Sequence, residues 1–173
     1  VIQAGNAAGL SAGEAQGRAG IYVAVYSLAA LFTAPIVGII ADKIDRLTLT
    51  IGCFVIASIG YGSLGLSENV ISFYDMIPAL IMAGIGQSCT AMSITVLLAQ
   101  QCPENIRGSV FGVQSFFGAL GILAISWGGG QLFDLVSPGA PFIAVAAANA
   151  TVFIAAAALR MRERAAIPDP EFP

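Results

Sequence analysis

Gln87 is the first residue whose chemistry asks for an explanation. It lies in an uncharged stretch, Met76–Gln100, together with Ser88, Thr90, Ser93 and Thr95. A primary amide in an apolar helix costs free energy unless its N–H and C=O groups find partners, so Gln87 must face protein or a wet cavity. Thr90 follows it at i+3, on the same side of a helix. Two readings are open at this point. Either these groups contact a small solute, or Gln87 bonds to another helix and Thr90 bonds to its own i−4 carbonyl. Tyr26 and Gln114 are further candidates for solute contact, in other uncharged stretches. Tyr22 and Trp127 lie toward stretch ends, where aromatic side chains anchor at a membrane interface.

The absent chemistry narrows the choice as much. There is no histidine in the 173 residues, which removes Ser-His-Asp hydrolysis, histidine zinc sites and histidine-ligated haem. Asp42 and Asp45 are the nearest acidic pair, and they sit in a short turn without the second acidic cluster that prenyl transfer needs. Cys53, Cys89 and Cys102 read as small buried apolar residues, not as a disulfide framework. No enzyme activity, cofactor or metal is expected. The net charge of −3 provides no basic surface for nucleic acid.

The elements that must hold these residues follow from charge spacing. Hydrophobic residues make up 57% of the chain and charged residues 10%, against about a quarter charged in soluble domains. The charges leave five uncharged windows: 20–41, 47–67, 76–100, 108–133 and 141–159. At about 1.5 Å rise per residue each is long enough for a hydrocarbon core of roughly 30 Å. Five buried helices of a soluble protein would leave no polar chain to cover them. The expected fold is an all-α integral membrane protein, a polytopic bundle of about five transmembrane helices within residues 19–164. Residues 1–18 read as the end of an outside loop, and the Pro-rich acidic segment 165–173 as a disordered cytoplasmic tail.

Short connections at 42–46, 68–75, 101–107 and 134–140 make consecutive helices antiparallel, so loops alternate between the two sides. One side then carries Lys43, Arg46, Arg107, Arg160, Arg162 and Arg164, six of the seven basic residues, and the other only Arg18. By the positive-inside rule the first side is cytoplasmic, which puts the amino terminus outside and the carboxy terminus inside. Five spans with an outside amino terminus point to a fragment of a longer protein.

Two stretches then carry a family resemblance. Gly38, Asp42, Lys43 and Arg46 form a charged turn between the first two windows. Gly38 permits close helix approach, and Asp42 can complement a helix N-terminus. In the fourth window Gly108 and Gly112 make a small-xxx-small pair, followed by Gly118, Gly121 and the triplet Gly128 to Gly130. Glycine weakens a helix in water, so this density calls for helix packing.

The turn resembles the loop signature G-x-x-x-D-[RK]-x-G-[RK]-[RK] of the major facilitator superfamily. Asp45 stands where that signature has Gly, and Leu47 where it has a second terminal basic residue. These departures resemble the loop between the eighth and ninth helices. The glycines of the fourth window, Pro103, Glu104, Arg107 and the Gly129-Gly130-x-Leu-Phe-Asp134 run are similar to the carboxy-terminal half of such a transporter. Ile125-Ser126 occupies the place of the Gly-Pro step typical of the fifth helix in antiporters, which favours the eleventh.

The resemblance implies that the five spans are helices eight to twelve of twelve. It implies secondary transport of a small solute across the cytoplasmic membrane by alternating access, in partnership with an amino-terminal half of the same protein and with membrane lipids. The third window becomes the cavity helix, flanked by the first and fourth, with the second and fifth as outer supports. Gly38, Asp42, Lys43, Arg46 and Arg107 become parts of a conformational latch. No window contains Asp, Glu, Lys, Arg or His, so the titrating residue of any proton coupling belongs to the other half. The alternatives are a non-transporting structural or receptor-like membrane protein and a membrane-embedded enzyme.

Overall fold

A computed structural model describes residues 9–67 and 73–166, without the side chains at 46, 73 and 163–166. Five helices follow one another: α1 (Ala12–Ala41), α2 (Arg46–Leu66), α3 (Phe73–Gln101), α4 (Arg107–Leu135) and α5 (Ala140–Ala166). Among the described residues there is no strand. All five are long and apolar enough to cross a membrane, and the protein is an integral membrane helical bundle.

The helices run past the uncharged windows at several ends, and the largest difference is at the start. α1 takes in Ala12 to Arg18, which the charge pattern assigns to a loop. Ser11 and Glu14 explain it by forming a capping box: the Glu14 N–H donates to Ser11 Oγ at 3.3 Å and the Ser11 N–H donates to Glu14 Oε2 at 2.9 Å. Charge therefore marks the edge of the apolar segment, while the cap marks the edge of the helix. At the other end α5 continues through Arg160 and Arg162 to Ala166, and the remainder of the expected tail, 167–173, lies outside the described residues.

α3 is the centre of the bundle. It packs against both α1 and α2, and α2 packs in turn against α5. α1 and α2 are consecutive yet barely touch each other, because α3 stands between them. Two small apolar clusters fill these seams. Tyr22, Leu64, Met76, Ala79 and Ala83 form one, and Val37, Cys53 and Cys89 the other.

The α2–α3 seam depends on missing side chains. A Cβ on Gly60 would fall 2.5 Å from the Ala83 backbone nitrogen, and one on Gly86 would meet the Ala57 backbone. Gly84 does the same for α1, since a Cβ there would lie 2.5 Å from the Tyr26 carbonyl oxygen. Without a hydrophobic effect between lipid-bathed helices, such backbone-close packing is a main source of association.

α4 is different. None of its residues is buried; it leans on α5 and makes little contact with α3.

Candidate solute-binding site

Gln87 lies in mid-α3 at the end of a hydrogen-bond chain through two tyrosines on two other helices. The Tyr61 hydroxyl on α2 donates to Gln87 Oε1 at 3.2 Å, and the hydroxyls of Tyr61 and Tyr26 are 3.1 Å apart. One chain of hydrogen bonds thus links α1, α2 and α3 across the middle of the bundle. Gln87 itself is exposed in this five-helix arrangement, while Tyr26 and Tyr61 are half-buried. Its Nε2 has no hydrogen-bond partner among the described residues.

Thr90, one turn further along α3, does not back-bond to its own helix. Ser93 donates to the Thr90 carbonyl at 3.1 Å and Thr95 to the Ala91 carbonyl at 2.8 Å, but Thr90 Oγ1 is buried without a partner among the described residues. A buried hydroxyl left unpaired costs about 1–3 kcal/mol. Gln87 and Thr90 therefore combine a free amide donor with an unsatisfied hydroxyl on neighbouring turns.

The remaining candidates separate. Tyr26 joins the polar chain. Gln114 is half-exposed on α4 and is not brought into it. Tyr22 is 4% exposed and belongs to the apolar core, so it is not an interfacial anchor within this bundle. Trp127 is 75% exposed.

The charged turn holds a tie that sequence spacing did not reveal. Asp45 caps α2, accepting from the Thr48 N–H at 3.2 Å and the Thr48 hydroxyl at 2.8 Å. Arg160, near the end of α5, pairs with the same carboxylate at 2.8 Å and also reaches Thr48 Oγ1. The Thr48 hydrogen bonds first, and then the Arg160 charge, hold the Asp45 carboxyl below the usual carboxylate range. Asp42 ends α1, where its backbone N–H donates to the Ile40 carbonyl; its side chain and that of Lys43 form no ion pair among the described residues. A Cβ on Gly38 would meet nothing within 4 Å, and Arg107 Nε is buried without a partner among the described residues. The Arg46 side chain lies outside the described residues. Among the described residues, Asp42, Lys43 and Arg107 are thus not assembled into a charge network.

Gly108, Gly112, Gly118 and Gly121 likewise face open space, with nothing within 4 Å of a Cβ at any of them. Among the described residues the glycines that do pack closely are Gly60, Gly84 and Gly86, at the seams of α3, and Gly65 and Gly139, where α2 meets the start of α5. Tyr61 was the missed member of the polar chain. The signal for it was available, because a phenol in the middle of an apolar window needs a hydroxyl partner for the same reason that Gln87 does.

Five membrane-length helices, with α1 and α2 packed on α3 and a polar layer at its mid-height, define a polytopic membrane helical bundle. Residues 4–172 match the family model of the Major Facilitator Superfamily, and the chain belongs to that superfamily. It is 29% identical over 153 residues to magnetosome protein MamH of Paramagnetospirillum magneticum (strain AMB-1), covering 88% of this chain and 35% of that protein. It is 27% identical over 156 residues to magnetosome protein MamZ of Magnetospirillum gryphiswaldense, covering 90% of this chain and 24% of that protein. An MFS-type efflux transporter, pyiT of Pyricularia grisea, is 35% identical over 104 residues, covering 60% of this chain and 17% of that protein. No solved structure shows a significant match. The chain thus spans about a third or less of the length of these relatives.

Proposed function

We propose that the chain is the carboxy-terminal portion, helices eight to twelve, of a secondary carrier that moves a small solute across the cytoplasmic membrane by alternating access. In this reading α3 lines the central cavity, α1 and α4 flank it, and the carboxy terminus is cytoplasmic. Gln87, Thr90 and Tyr26 contact the solute, with Gln114 reaching it from α4. The amino-terminal half supplies the opposite wall and any coupling carboxylate, because the spans here carry no charge in the apolar windows.

The observation that carries this reading is the polar layer on α3. Gln87 is anchored through its oxygen yet keeps its amide N–H groups free, and Thr90 Oγ1, one turn away, lacks a partner. Lipid cannot satisfy the exposed Gln87 amide, whereas a solute in a wet cavity can. The bare face of α4, with Gly108, Gly112, Gly118 and Gly121, suits close packing against a helix of the other half. Gly38, Asp42, Lys43, Arg46 and Arg107 would then complete a latch across the junction of the two halves, and Asp45–Arg160 would brace the turn that presents it.

Uptake by the full-length protein in liposomes tests the reading, with radiolabelled sugars, organic acids, amines and drugs as the panel. At least one member should accumulate with wild type, and Gln87→Ala should raise its KM severalfold. No uptake of any member contradicts carrier function, and unchanged KM removes Gln87 from the site. Asp42→Asn should slow turnover and alter cysteine accessibility on the outside face; wild-type behaviour in both removes Asp42 from a latch.

A further inference from the structure

Proton counting fixes the direction of the tyrosine–glutamine chain. Tyr61 has one hydroxyl proton, and it is donated to Gln87 Oε1, an atom that only accepts. The Tyr26–Tyr61 bond must therefore be donated by Tyr26. The chain runs Tyr26 to Tyr61 to Gln87, and its open end on α3 is the Gln87 Nε2 group with two N–H donors. Donation into Oε1 polarises the amide and makes those N–H groups stronger donors, the cooperative effect expected of hydrogen-bond chains in a low-dielectric setting.

From this geometry we infer that Tyr61, on the helix expected to be an outer support, is a positioning residue for the solute site. It locks the Gln87 amide with its donors outward, so the group recognised on the solute is an oxygen acceptor, a carbonyl or a carboxylate, and not an ammonium. The inference rests on the proposed solute-contact role of Gln87 and adds the polarity of what is recognised. Two features of the structure make the lock specific. Gly60 and Gly86 bring the α2 and α3 backbones close enough for Tyr61 to reach Gln87, and the Gly84 contact with the Tyr26 carbonyl sets α1 at the same level. The Tyr61 hydroxyl serves Gln87 and Tyr26 together, so its removal frees the amide to turn over.

The test uses the full-length protein in nanodiscs and a library of neutral carbonyl compounds, carboxylates and primary amines, read by thermal shift and followed by titration of the hits. Wild type should bind carbonyl or carboxylate members and discriminate against amines; the neutral and the anionic arms separate the two acceptor types. Gln87→Glu, which replaces both donors by an acceptor, should weaken acceptor solutes at least tenfold and shift preference toward amines. Tyr61→Phe should weaken the same solutes severalfold and reduce the acceptor-to-amine ratio. Tyr26→Phe should do so less, because it leaves the Tyr61–Gln87 bond in place. If Tyr61 only stabilised the fold, Tyr61→Phe would lower the ligand-free melting temperature and leave that ratio unchanged, and this result overturns the inference. Binding confined to amines, as a reversed chain with Gln87 donating to Tyr61 would give, also overturns it, and so does a library in which no acceptor-bearing member binds. Binding with the expected ratios but without uptake in liposomes refutes transport and leaves the inference standing; uptake with ratios unmoved by either variant does the reverse.

Discussion

α3 and α4 are both membrane-length helices that carry glycines, two in α3 and seven in α4, and the bundle treats them oppositely. α3 is enclosed by α1 and α2, and both of its glycines, Gly84 and Gly86, lie against neighbouring backbones. α4 has no buried residue, and Gly108, Gly112, Gly118 and Gly121 face open space. The contrast shows that a glycine pattern marks a surface fit for close packing without saying which helix fills it. On α3 the partner is inside this chain. On α4, under the proposed twelve-helix carrier, it comes from the other half.

Substitutions in the full-length protein can break or sharpen this contrast. The largest effect is expected at Gly86. Gly86→Leu drives a side chain into the Ala57 backbone and should reduce the folded, detergent-stable yield severely, since overpacking costs about 1–3 kcal/mol even where side chains can yield. Size-exclusion profiles and melting temperatures measure it. Gly118→Leu on α4 should be harmful in the full-length protein as well; if it is tolerated, no other helix occupies that face and the proposed packing of α4 fails.

A middle-sized effect is expected at the polar chain. Tyr61→Phe leaves Tyr26 and Gln87 each short of one hydrogen bond, a loss of about 1 kcal/mol per bond. The corresponding change on α4, Gln114→Leu, breaks no bond within this chain and should leave stability nearly unchanged.

The smallest effect belongs to the Asp45–Arg160 tie. Its carboxylate is 61% exposed, so removing Arg160 should cost about 0–1 kcal/mol, less at high salt. Its pH dependence has a definite sign. The folded carboxyl titrates below its unfolded value, so the tie contributes fully above the ordinary aspartate pKa and is lost as pH falls through the lower folded value. Asp45→Asn should keep most of the cap and abolish that acid dependence in melting curves.

Charge spacing was enough to expect five membrane helices, because the cost of a charge in hydrocarbon leaves a long uncharged run wherever a helix crosses. It misjudged the start of α1, where Ser11 and Glu14 extend the helix beyond the apolar segment. Gln87 stood out in the sequence because an amide in an apolar run demands a partner, but its partner did not, since Tyr61 lies 26 residues away on another helix. The Asp45–Arg160 pair spans a still longer separation, and its acidic member stands in the sequence only as a departure from a loop signature. Pairings of this kind depend on which helices adjoin, and the hydrophobic pattern alone does not order them in space.

Water access to position 87 tests the central claim most directly. In the full-length protein with Cys53, Cys89 and Cys102 replaced, Gln87→Cys should react with a charged, membrane-impermeant thiol reagent, while Ile154→Cys on α5 should not. Labelling at 87 and silence at 154 is the predicted result. Equal silence at both positions would put Gln87 against lipid or packed protein and contradict a solute pathway along α3.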